Sequence, residues 1–170
     1  MFFLSLISFF TNKLVNYTGK VSAFLLFPLI IIIFISVLLR YIFSIGFTWL
    51  QDLYVWIHAS IILLSIAYTS KLDGHVRIDL LYRGMSKKLK YIVNLLGLIL
   101  FSLPVSYLIM TKSYPYFLRS FIQNESSKET GGLPYIYVLK FLILLMGITM
   151  FVYSINEVLK YLERKNDRNH

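Results

Sequence analysis

The chain has 170 residues, of which 58% are hydrophobic and 15% are charged, and its formal net charge is +9. An ordinary soluble domain has about 45–50% apolar and about 25% charged residues, so this composition excludes a soluble globular protein and equally a disordered one. The absence of cysteine excludes disulfides, thiolate metal sites and cysteine nucleophiles. The basic residues flank apolar segments, which favours contact with anionic lipids over nucleic-acid binding.

The first predicted element is residues 1–17. Ser5, Ser8 and Asn12 recur at helical spacing among Phe, Leu and Ile, which is typical of an amphipathic helix lying along the membrane interface. The apolar part is too short to span a bilayer, and it lacks the basic segment and small-residue cleavage site of a signal peptide. The sequence therefore predicts an interfacial helix, with a lipid-associated tail as the alternative.

Four longer apolar segments follow. A hydrocarbon core about 30 Å thick needs about 20 apolar residues per helix, and segments of that kind lie at about 21–39, 48–68, 91–110 and 134–153. Pro134 stands at a predicted helix start, whereas Pro28 and Pro104 lie inside spans and predict kinks. The predicted fold class is an all-α membrane protein with four transmembrane helices in residues 18–156, preceded by the interfacial helix and followed by a basic tail at 157–170.

Lys and Arg residues are distributed unevenly between the two faces of this arrangement. Twelve lie on the face that carries both termini and four on the opposite face, which predicts that both termini are cytoplasmic. Lys87, Lys88 and Lys90 lie in the second loop on the basic face, and we expect them to contact anionic lipids. The longest loop on the other face, 112–132, has a polar stretch at 124–132 that we expect to be flexible.

Polar residues inside spans are costly and are therefore candidates for specific roles. Arg40 ends the first span and Asp52 begins the second at a similar depth, so we expect a structural ion pair between them, with Asp52 as a proton or cation site as the alternative. For His58, a hydrogen-bonded packing role is favoured over haem ligation. For Lys140, snorkelling to the membrane surface is favoured over pairing or substrate binding.

The sequence contains no hydrolytic triad, phosphate-binding loop, metal-ligand cluster or dinucleotide fingerprint. We therefore predict no catalytic residue, no cofactor and no metal site in this chain, and we do not expect an enzyme.

Two stretches carry a more specific signal. Trp49-Leu50-Gln51-Asp52-Leu53 opens the second span, and Gly74-His75-Val76-Arg77-Ile78-Asp79 follows that span. Together with four spans and this length, they resemble the small membrane subunit of tripartite ATP-independent periplasmic (TRAP) transporters over nearly the whole chain. That family has a Trp with an amide or acidic pair, then a His-Val-Arg-Val-Asp-like motif. Asp52 stands where the family often has Glu.

The resemblance implies a non-catalytic scaffold that braces a large membrane subunit in the bacterial inner membrane. That larger subunit would hold the sodium and substrate sites, and a periplasmic binding protein would deliver organic acids such as dicarboxylates or sialic acid. Seven residues of this chain are candidates for the interface with partners: Trp49, Gln51, His58, His75, Arg77, Asp79 and Lys140.

Two other functions stay open at this point. The first is a self-sufficient small channel or carrier that oligomerises, with Asp52 lining the pathway. The second is an electron-transfer membrane anchor that uses His58.

Overall fold

A computed structural model describes residues 2–75 and 82–166, and the regular elements in these ranges are helices. They are α1 (Phe2–Ile42), α2 (Thr48–Lys71), α3 (Lys87–Gly97), α4 (Leu103–Ile122) and α5 (Tyr137–Asn166). A π-helical segment, Leu98–Ser102, joins α3 to α4 in one stretch, Lys87–Ile122. Four helical stretches are long and apolar enough to cross a membrane: α1, α2, the stretch Lys87–Ile122 and α5. The predicted all-α fold with four spans is therefore confirmed.

The N-terminal segment continues into the first span. Residues 2–42 form one helix of 41 residues, about 61 Å long at 1.5 Å per residue, so the structure does not separate a helix at 1–17 from the span that follows. The polar face has a packing role at Ser8, whose hydroxyl donates to the Asn156 side-chain oxygen of α5 at 2.7 Å. A polar face seen in sequence cannot distinguish contact with lipid headgroups from contact with a neighbouring helix.

The helices form a bundle with two distinct ends. At one end, α1 begins and α5 finishes, and Val15 of α1, Ala67 of α2 and Tyr153 of α5 form a buried cluster there. We call this the terminal end. At the opposite end lie the connections 43–47 and 123–136, and we call it the loop end. Helix α5 packs against α1, α2 and α4, so it is the central helix of the bundle.

Small residues allow the helices to approach closely. A Cβ atom on Gly147 of α5 would lie 2.9 Å from the backbone nitrogen of Met110 in α4. Ser106, Ser113 and Ser120 are buried at seven-residue spacing along α4, as expected for membrane helices that pack through small side chains. The hydrophobicity pattern did not predict this serine stripe, because serine reads as polar in sequence even where its hydroxyl bonds to its own helix.

The two prolines at which kinks are predicted lie inside helical stretches, and those kinks stay a prediction. Pro28 lies within the uninterrupted α1, and Pro104 is the second residue after the π-helical segment. Proline offers no N–H to the preceding turn, and a local widening of the helix accommodates that loss. Pro134 does not begin the fourth span. Helix α5 starts at Tyr137 because Tyr135 has a φ of 66° and the Ile136 amide donates to the Glu125 carbonyl.

Candidate functional site

The connection between α4 and α5 folds over the loop end of the bundle. The Ile136 amide donates to the Glu125 carbonyl and the Ser127 amide donates to the Leu133 carbonyl, each at 2.9 Å. The Glu125 amide in turn donates to the Ser120 carbonyl in the last turn of α4, at 3.1 Å. The polar stretch 124–132, which we expected to be flexible, thus lies in a hydrogen-bonded turn. The hydrogen bonds that order it join backbone atoms, so the residue types in the sequence did not indicate them.

Asp52 fixes this connection to α2. Its Oδ2 atom accepts a hydrogen bond from the Leu133 amide at 2.9 Å. The described residues show no ion pair between Asp52 and the predicted partner Arg40. Arg40 is exposed and lines a shallow cleft with Gln51 and Tyr54. Successive residues on a helix point about 100° apart, so Gln51 faces that cleft while Asp52 faces the α4–α5 connection.

Lys140 makes the second attachment of the connection. Its ammonium forms a salt bridge with the Glu125 carboxylate and lies 4.0 Å from the centroid of the Tyr116 ring. The Lys140 side chain is only 9% exposed, so the expectation that it snorkels to the surface is wrong. The connection brings an acidic residue back over the start of α5, which places the ion pair inside the bundle end. We call Asp52, Glu125, Leu133 and Lys140 the clamp.

Sequence reasoning missed Glu125, Tyr116 and the Leu133 amide. A usable signal existed for Glu125, since it is an acidic residue in the loop that precedes the span in which Lys140 is the one charged residue before Glu157. The Leu133 amide had no such signal, because a backbone donor carries no sequence information.

The hydrogen bond from Lys140 lowers the pKa of the Glu125 carboxyl below its ordinary value of 4.5. A carboxyl with a depressed pKa in the folded state stabilises the fold above its unfolded pKa, and that contribution is lost as the pH falls through the folded value. We therefore expect the melting temperature of the wild type to exceed that of Glu125→Gln at pH 7. The difference should shrink as the pH falls below the ordinary value of 4.5 and through the lowered pKa of Glu125. A difference that does not change with pH would contradict the pair.

Gly132 lies where the clamp leaves no room for a side chain. A Cβ atom there would lie 2.4 Å from Asp52 Oδ2 and 2.6 Å from Ser127 Oγ. We expect Gly132→Ala to displace the connection and to reduce stability by about 1–3 kcal/mol, as other overpacked substitutions do. Thermal unfolding in detergent measures this. Gly46→Ala, in the other loop with no atom within 4 Å of its Cβ position, is the matched control and should be nearly neutral.

At the terminal end, a second group of polar residues surrounds an open cavity of ≈ 700 Å³. Lys71 donates to Asn16 at 2.7 Å and His75 Nε2 lies 2.8 Å from Ser70 Oγ. Lys71, His75 and Ser70 line the cavity together with Asn94 and Glu157. Arg77 and Asp79 of the family-like motif lie outside the described residues.

Most of the remaining predicted residues are exposed, and Lys90 is half-buried. Lys87 and Lys88 are exposed, while Lys90 Nζ lies 5.0 Å from the centroid of the Tyr82 ring; lipid contact by these three stays a prediction. Trp49, Gln51 and His58 are exposed on α2. The described residues contain no group of three or more His, Asp or Glu side chains placed to hold a metal ion.

Comparison with known families decides the identity. Residues 29–164 match the DctQ component of tripartite ATP-independent periplasmic transporters. The chain belongs to the DctQ family. A search of curated proteins gives no match. The DctQ assignment confirms the resemblance seen in sequence, and with the four spans it makes this chain a multi-pass bacterial inner-membrane protein and a membrane component of a TRAP transporter. Membership also implies association with a large membrane subunit and a periplasmic binding protein.

Proposed function

We propose that this DctQ chain is a non-catalytic scaffold that braces the large membrane subunit during ion-coupled uptake of organic acids. Dicarboxylates and sialic acid are the substrate types, a periplasmic binding protein delivers them, and sodium binds in the large subunit. Both termini lie in the cytoplasm, so the loop end faces the periplasm. The uneven distribution of basic residues supports this orientation.

One observation carries the scaffold role: several described polar side chains of the spans join elements of the bundle to one another. Asp52 joins α2 to the α4–α5 connection, and Lys140 joins α5 to the same connection. Ser102, in the π-helical segment, and Ser154 of α5 lie 2.6 Å apart through their hydroxyl oxygens. Polar groups used in this way fix the shape of the bundle. They are not available to replace the water around an anion and carry it across the membrane.

The pairing of Asp52 also bears on the alternative in which it lines a pathway. Its Oδ2 atom is engaged by the Leu133 amide at 2.9 Å, and a carboxylate that holds a loop in place is poorly suited to exchange a passing ion. This geometry favours the scaffold over the self-sufficient channel.

Co-purification tests the proposed assembly. The tagged chain and the large membrane subunit of its transporter are co-expressed, extracted in mild detergent and purified through the tag. We expect the two subunits to elute together at about equal molar amounts, whereas a tagged unrelated four-helix membrane protein should retain none of the large subunit. Elution of this chain without the large subunit would contradict the proposal.

A further inference from the structure

Helix α2 combines two properties that do not fit contact with lipid. Its most apolar stretch has a mean hydropathy of 1.5, the lowest of the four spans, whose other values are 3.0, 2.2 and 2.2. The exposed residues of this helix are Trp49, Gln51, Val55, His58 and Ile62, and two of them are polar. An exposed side of a span should be apolar if lipid covers it, because hydrocarbon cannot hydrogen-bond to polar side chains.

The exposed side of α2 follows a helical spacing. Gln51, Val55, His58 and Ile62 are all exposed and are separated by four, three and four residues, so they form one stripe along the helix. We call these four residues the α2 stripe. By contrast, the exposed surfaces of α1 and of the α3–α4 stretch at mid-span are apolar, as at Phe27, Ile31, Phe101 and Val105.

His58 is the polar centre of the α2 stripe. It lies about 15 Å along the helix from Thr48 and about 20 Å from Lys71, which places it near the middle of a hydrocarbon core about 30 Å thick. No hydrogen bond to its imidazole occurs among the described residues. Lipid tails would leave both ring nitrogens without partners at the depth where that costs most.

We propose that the α2 stripe docks against the large membrane subunit, which presents a hydrogen-bonding side chain to His58 within the bilayer. The inference rests on the proposed assembly and adds the docking face and its central contact. Val55 and Ile62 supply the apolar surface on either side of His58, and Gln51 marks the edge of the contact near the loop end. Hydrogen bonds between polar side chains of neighbouring helices, His among them, contribute to the association of membrane helices.

Photo-crosslinking in the assembled complex tests the docking face. A benzoylphenylalanine residue is introduced at Val55, or at Val105 on the α3–α4 stretch as a matched control; the two valines are 49% and 51% exposed. We expect the Val55 probe to crosslink to the large subunit in at least fivefold higher yield than the Val105 probe. Equal yields, a higher yield at Val105, or a Val55 crosslink only to a second copy of this chain would each overturn the proposal.

Substitution of His58 tests the central contact. We expect His58→Leu to weaken the complex by about three- to tenfold in a detergent titration, the range set by one hydrogen bond between membrane helices. His58→Gln, which keeps a donor and an acceptor, should retain most of the affinity. Equal affinity of His58→Leu and wild type would overturn the hydrogen bond. Wild-type subunits that do not co-purify would refute the assembly itself, whereas co-purification with crosslinks from Val105 alone would refute only the docking face.

Discussion

Replacing Glu125 by alanine should destabilise the bundle more than replacing Lys140 by methionine. The two partners of this salt bridge are unequally exposed, with 9% of the Lys140 side chain and 32% of the Glu125 side chain accessible. Removing Glu125 leaves an ammonium inside the bundle end, next to the Tyr116 ring but without a carboxylate partner. Removing the ammonium leaves a carboxylate that water can reach. A buried charge without its partner is the costlier of the two outcomes.

We expect Glu125→Ala to lower the melting temperature by about 5–10 °C and Lys140→Met by less than half as much. The double variant should be more stable than Glu125→Ala alone, because the uncompensated ammonium is then gone. Thermal unfolding of the three variants in one detergent at neutral pH measures these effects. One contrary result is that the melting-temperature losses of the two single variants simply add in the double variant, and another is that Lys140→Met loses more than Glu125→Ala. Either result would show that the pair does not stabilise the bundle end as the geometry indicates.

Replacing Gly147 by alanine should also have a large effect. The added methyl group would lie 2.9 Å from the Met110 backbone nitrogen and 3.1 Å from Ile109 Cγ2. Backbone cannot move aside as a flexible side chain can, so α4 and α5 must move apart at this point of their contact. Overpacking of this kind costs about 1–3 kcal/mol, which in a chain of this length lowers the melting temperature by about 3–10 °C.

Gly97→Ala provides the matched control for that experiment. Gly97 is also helical, but nothing lies within 4 Å of its Cβ position. Alanine favours the helix over glycine by up to about 1 kcal/mol, so Gly97→Ala should be neutral or stabilising. If Gly147→Ala is no worse than Gly97→Ala, then α4 and α5 do not approach each other as closely as the structure shows.

The spans could be predicted from sequence because a bilayer imposes length and hydrophobicity on each helix independently of its neighbours. The partners of polar residues could not be predicted in this way. Asp52 and Arg40 share a depth, but depth does not state which side of the helix each one faces, and the observed partner of Asp52 is a backbone amide 81 residues away.

The partner of Lys140 could not be predicted from its position in the sequence either. A lysine within two turns of a span end can reach the surface, so its sequence position favours snorkelling. Its pairing with Glu125 depends on how the α4–α5 connection turns back over α5, and backbone hydrogen bonds determine that turn. The family-like stretch around Trp49 and Gln51 was recognisable because its signal consists of residue types, which a sequence displays directly.

Uptake into proteoliposomes tests the scaffold role most directly. Three kinds of vesicle are prepared, with this chain alone, with the large subunit alone and with both. The periplasmic binding protein is added outside the vesicles, and uptake of dicarboxylates and sialic acid is measured under an inward sodium gradient. The account predicts that this chain alone gives no uptake above protein-free vesicles and that uptake requires both membrane subunits. Uptake by this chain without the large subunit would contradict it.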